Sequence, residues 1–162
     1  MGSKTLVYKK KVDDNLTESY KHLKRINEAF SELEKLYTFP LDNQNYLKIV
    51  SNLQSLAFSD QIIYRFSKLQ DIMGAKLFKS ILLYQGENIN KPFLDILNQL
   101  EKMEIISVDD WFEIRDLRNE IAHEYEESDM IALNILNMIY DLKDELKKIV
   151  ESISKLVEKR VY

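Results

Sequence analysis

The side chains best suited to chemistry crowd into one stretch, Asp110-Trp-Phe-Glu-Ile-Arg-Asp-Leu-Arg-Asn-Glu-Ile-Ala-His-Glu-Tyr125. Arg118 offers a planar guanidinium that can brace a phosphate as charge develops on it. His123 offers an imidazole, the side chain that most readily takes or gives a proton near neutral pH. Placed on a helix at about 100° per residue, Ile114, Leu117 and Ile121 form an apolar face, and Arg118 falls between Trp111 and Ile114. An arginine so placed either snorkels to solvent or meets an anion, a carboxylate on another helix or a ligand. His123 lies about 140° around the same helix, so on an unbroken helix the two groups diverge. Either the helix ends near Ala122 or a second protomer supplies the complementary group. Asn119 and His123 are four residues apart and share a face, which lets the amide orient the imidazole.

Little other material for catalysis exists. The chain has 162 residues, no cysteine and two histidines, which excludes thiolate metal sites, disulfides and a cysteine nucleophile. His22 stands among Lys21, Lys24 and Arg25 and is expected on the surface. His123 with Glu124, Glu126, Glu127 and Asp129 resembles metal-ligand chemistry only by composition. Those acids fit a solvated loop leading into the next helix better, and no metal or other cofactor is expected.

The elements that must position these groups are helical. Pro40, Gly86 and Pro92 are the main punctuation, and the intervals between them repeat apolar residues every three or four positions. Asp13 or Asp14 can cap a first helix with Leu16, Tyr20, Leu23, Ile26, Phe30, Leu33 and Tyr37 inward. That leaves residues 1–12 as an N-terminal extension and 13–162 as a single domain. Residues 44–85 are too long for one ordinary helix and must bend or break. Gly74 in their middle costs about 1 kcal/mol relative to alanine, which close approach of a neighbouring helix would explain. A short helix follows Pro92, and another starts at Asp109 or Asp110. A last one runs from Asp129, with a heptad seam at Ile135, Ile139, Leu142, Leu146, Ile149, Ile153 and Leu156. That seam packs inside the bundle or against a second copy. The fold class predicted is all-α, an up-and-down bundle of about five helices.

Net charge is −4, which argues against a general cationic coat for nucleic acid. The charge is uneven. Residues 43–91 carry six basic and three acidic side chains, whereas residues 92–162 carry nine and seventeen. Any polyanion should therefore meet the central helix, where Arg65 and Lys68 lie, with Arg115 as a further contact. No run of roughly 18 apolar residues suggests a membrane span, and no charged-then-apolar leader opens the chain. A soluble, cytoplasmic protein is expected.

Arg118-Asn-Glu-Ile-Ala-His123-Glu-Tyr125 reads R-N-x-x-x-H-x-Y and resembles the signature of the HEPN superfamily. Within it, the likeness is to HepT-type toxins and nucleotidyltransferase substrate-binding proteins. Ile63-Tyr-Arg-Phe-Ser-Lys-Leu-Gln-Asp71 and Trp111, seven residues before the arginine, also resemble that group, and the likeness spans roughly residues 13–150. The resemblance implies a metal-independent endoribonuclease acting as a homodimer, with Arg118 and His123 of each subunit lining one cleft. RNA then supplies its own 2′-hydroxyl nucleophile. It also implies a minimal nucleotidyltransferase antitoxin that AMPylates Tyr125. A second implication of the same likeness is a non-catalytic subunit that binds a nucleotidyltransferase.

Overall fold

The computed structural model describes residues 2–159. Among them the chain forms seven α-helical segments, two of which run on through a π-turn as one rod, and no strand. The first, α1, spans Ser3–Glu34. It starts ten residues before the aspartates expected to cap it, because nothing in residues 3–12 breaks a helix and Val12 extends the buried stripe. Asp13 and Asp14 instead pair one turn back with Lys9 and Lys10, at 2.7 and 2.8 Å. Such exposed pairs add only a few tenths of a kcal/mol each, roughly. The stripe also turns more than expected: Ser19 and His22 are buried, while Tyr20 faces solvent.

The central segment breaks as its length required. Helix α2 is Asn43–Ser51, and Asp42 caps it by accepting the Asn45 N–H at 2.7 Å. Asn52 then separates it from α3, Leu53–Ile72, by accepting the Ser55 N–H at 2.9 Å. That short cap supplies the expected break and leaves two rods in this segment, so the bundle has six rods rather than about five. Helix α3 continues through a π-helical turn, Met73–Leu77, into α4, Phe78–Tyr84.

Gly74 lies in the π-turn, and its lack of a side chain has a clear cause. A β-carbon there would sit 3.2 Å from Trp111 Cζ2 on α6. Helix α5, Phe93–Lys102, starts after Pro92. Helix α6, Val108–Glu124, is capped by Ser107, two residues before the first of the expected aspartates, which occupy its first turn and complement the helix dipole there.

Helix α7, Asp129–Lys159, lays its seam inside the monomer. Ile135, Ile139, Leu146, Ile149 and Ile153 are buried, and Leu142 and Leu156 are partly so. Asn137 ties α7 to the α1–α2 connection by accepting the Leu41 N–H at 2.7 Å and donating to its carbonyl at 3.0 Å. Phe30, Phe39 and Tyr140 close the same end as an aromatic trio. No helix among the described residues is long and apolar enough to cross a membrane.

Candidate functional site

Helix α6 carries the R-N-x-x-x-H-x-Y stretch unbroken through Glu124, and Tyr125 keeps helical angles (φ −52°, ψ −41°). A break near Ala122 is therefore excluded, and Arg118 and His123 diverge by about 140° within one subunit. What holds α6 in place is its apolar face. Trp111, Ile114 and Leu117 are buried, with Trp111 edge-on to Phe78 at 4.6 Å between ring centres.

Of the two anions open to Arg118, the structure contains the carboxylate. Arg118 Nε and Nη2 donate to Asp71 Oδ1 and Oδ2 of α3 at 3.1 and 3.2 Å, a two-bonded fork. The guanidinium side chain stays about a quarter exposed (27%) and the carboxylate about half (49%). Pairs so open to water contribute little to stability, about 1 kcal/mol or less. They do fix direction, since a fork constrains both planes.

Tyr125 stands two turns beyond Arg118 on nearly the same line, and it also meets α3. Its hydroxyl donates to Asp60 Oδ1 at a long 3.4 Å. Burial pushes the Tyr125 phenol above its ordinary value; the Ser59 hydroxyl opposes this, and the Asp60 carboxylate adds to it. Tyr46 on α2 is pushed up to about 12, first by burial and then by Tyr125, Asp129 and Asp60. The end of α6 is thus an acidic corner in which both phenols keep their protons.

Asn119 and His123 lie exposed, with no hydrogen bond between them among the described residues. His123 and Tyr125 line the same shallow cleft of about 360 Å³, together with Ile121, Ala122, Glu126 and Glu127. Arg115, exposed and without an ion pair among the described residues, opens onto a different cleft beside Asp71. No group of three His, Asp or Glu side chains among the described residues is placed to share a metal ion.

The two contacts expected on α3 part company. Lys68 is exposed, one turn before Asp71. Arg65 points toward α1, its Nη1 3.2 Å from His22 Nδ1 and its Nε buried without a partner. His22 itself is 5% exposed, which overturns its expected surface position. It follows Ser19 and precedes Ile26 on the buried stripe, and that spacing outweighed its charged sequence neighbours. Glu18 Oε1 lies 3.5 Å from its Nε2. Burial lowers the His22 pKa; the Glu18 hydrogen bond opposes this, and the charge of Arg65 reinforces it.

Asp71, Asp60, Gln70 and Phe93 were not singled out as site residues by the sequence. A signal for the first two existed. Asp60 and Asp71 are eleven apart, close to three helical turns, so both face one side of α3, as Arg118 and Tyr125 face one side of α6. Comparisons with protein-family profiles, with curated proteins and with solved structures return no match.

Proposed function

We propose that the protein is a HEPN-type, metal-independent endoribonuclease that acts as a homodimer on RNA in the cytoplasm. The observation that carries this reading is the divergence on an unbroken α6. Arg118 is held toward α3 by Asp71, and His123 stands exposed about 140° away, so one chain offers two half-sites rather than one whole. Juxtaposing α6 of two copies supplies the missing half to each. Arg118 keeps N–H donors beyond the two that Asp71 accepts, and these brace the scissile phosphate. His123 takes the proton of the 2′-hydroxyl as its oxygen bonds to phosphorus; the P–O5′ bond breaks and the departing oxygen is protonated from the imidazolium of the second copy. The products are a 2′,3′-cyclic phosphate and a 5′-hydroxyl. Asn119, one turn before His123 on the exposed face, makes no bond to the ring in the single chain and is assigned the orienting role only in the proposed dimer.

Tyr125 is the proposed point of control by a minimal nucleotidyltransferase antitoxin. Its hydroxyl lies against Asp60, a carboxylate able to take the phenolic proton as the oxygen bonds to the α-phosphorus of ATP; the bond from that phosphorus to the β-phosphate oxygen breaks, and pyrophosphate leaves. AMP fixed there would fill the cleft it shares with His123. The test is RNA incubated with pure protein in EDTA, read for cyclic-phosphate ends. His123→Ala protein should lose the activity by about a hundredfold or more. Equal cleavage by both proteins would refute the reading.

One observation favours a second reading. Arg118 already has its counter-charge within the monomer, as a purely structural arginine would. A non-catalytic subunit that presents substrate to a nucleotidyltransferase needs no more. Reproducible absence of cleavage alongside a tight complex with such an enzyme would select it.

A further inference from the structure

A cleft of about 430 Å³ opens between α3, the π-turn, α5 and α6, lined by Gln70, Asp71, Gly74, Lys79, Phe93 and Arg115. Its size lies within the range of about 300–1,000 Å³ typical of small-ligand sites. Its lining is unlike ordinary surface. Gln70 is only 9% exposed, yet its side-chain amide has no hydrogen-bond partner among the described residues. The rest of the side chain is packed away, so the carboxamide is held in the wall and offers its donor and acceptor only to what occupies the cleft. Gly74 forms the floor, and the missing side chain lets three groups converge. A β-carbon there would lie 3.7 Å from Gln70 Nε2 and 3.9 Å from Phe93 Cζ, besides its contact with Trp111. Phe93 is half-buried, and Lys79 and Arg115 have no ion pair among the described residues. Asp71 forms the edge nearest α6 and carries Arg118 on its carboxylate.

An aromatic face, an unpaired amide donor and acceptor, and two free cations together match one nucleotide. We propose that this cleft binds a single nucleotide of an RNA strand, its base stacked on Phe93 and its edge read by Gln70. Lys79 and Arg115 take the flanking phosphate. The next phosphodiester along the strand then faces Arg118, and this last step alone rests on the ribonuclease reading. A side-chain amide pairs in both directions with the N6/N7 edge of adenine, so adenine is the expected base.

The experiment measures binding of labelled 2′-O-methyl hexanucleotides of A, C, G and U, which cannot be cleaved by their own 2′-oxygen, by fluorescence anisotropy. Wild type should prefer the adenine hexamer. Gln70→Leu, close in size, should bring the four affinities to within about twofold of one another, and Phe93→Leu should weaken all of them about tenfold. Thermal melts check that each variant folds, and Lys79→Gln, on the surface, gives an independent loss if Phe93→Leu does not. Four equal affinities in wild type, or an unchanged preference in Gln70→Leu, overturn the proposal. So does free AMP binding as tightly as the hexamer. Base-selective binding that Gln70→Leu abolishes, in a protein that leaves ordinary RNA intact, keeps the cleft and removes the ribonuclease.

Discussion

Replacing Gly74 with alanine should destabilise the protein, against the usual rule for a glycine inside a helix. The usual rule gives a gain of about 1 kcal/mol from backbone entropy. The added methyl here would stand 3.2 Å from Trp111 Cζ2, inside the 3.5–4.0 Å at which carbon atoms attract. Relief requires the indole to retreat by a few tenths of an ångström. Trp111 is 1% exposed and packed edge-on against Phe78, itself fully buried, so that retreat pushes on the centre of the core. Overpacking of this kind costs about 1–3 kcal/mol. The net is a loss of about 1 kcal/mol, or a melting point lower by about 2–4 °C at this chain length. Urea and thermal unfolding of the two proteins would measure it. The double variant with Trp111→Phe should lose less than the sum of the single losses, by about 0.5 kcal/mol or more. A Gly74→Ala protein stabilised by about 1 kcal/mol would refute the claim that this glycine exists for the approach of α6. Under the proposed ribonuclease reading, activity should fall further than stability, because α6 carries Arg118 and His123 and small displacements of catalytic groups are expensive.

Asp71→Asn should lower kcat on RNA by about tenfold to a hundredfold, since the fork that aims Arg118 is lost, while stability changes by about 1 kcal/mol or less; an unchanged kcat would show that Asp71 does not position the arginine. His22 is held below its ordinary value of 6.5, so the unfolded chain takes the proton first as pH falls. Stability should therefore be full above pH 6.5 and decline as pH drops through that value toward the folded-state pKa, and His22→Gln should flatten the decline in urea midpoints. Identical pH profiles for the two proteins would remove His22 from the acid sensitivity, leaving Glu18, Lys21 and Arg65 around it unaffected. Tyr125→Phe removes a hydroxyl whose bond to Asp60 is a long 3.4 Å, so under the proposed reading it should fold normally, cleave RNA as wild type does, and take up no labelled AMP from ATP in the presence of the partner nucleotidyltransferase. Label retained on the Phe variant would place the modification elsewhere.

Much of the architecture was legible because helices advertise themselves through period and punctuation. The α7 seam, the helix after Pro92 and the break inside residues 44–85 follow from apolar spacing, from proline and from excess length. The close approach at Gly74 was legible for a simpler reason: a glycine in a helix is an expense that needs a cause. The start of α1 was not, since the aspartates at 13 and 14 look like caps but serve equally well as partners for lysines one turn back. His22 misled because sequence neighbours of a helical residue point elsewhere, and its charged company says nothing about its own face. In the site, the residues of α6 were legible as types. Their partners were not: Asp71 and Asp60 become partners only once α3 and α6 are side by side, a relation that no local spacing encodes.

The two ends of the α6 stretch differ in sign, and that difference orders the proposed events. Asp71, which holds Arg118, also edges the cleft that carries Arg115 and Lys79, and Lys68 stands exposed one turn before it on α3. Around Tyr125 lie Asp60, Glu126, Glu127 and Asp129. A strand of RNA entering a chain of net charge −4 can gain only at the first end, and few cations there mean few phosphates engaged and modest non-specific affinity. Selection of substrate must then come from uncharged contacts, which is what an aromatic ring and an unpaired amide supply. The second end is acidic and would repel phosphates, so in the proposed complex a strand reaching His123 gains nothing from that side. A phosphodiester added at Tyr125 raises that repulsion where the imidazole must work. Control by a single nucleotide is therefore strongest in a protein whose hold on RNA is weak, because a small added repulsion decides whether the strand reaches the ring.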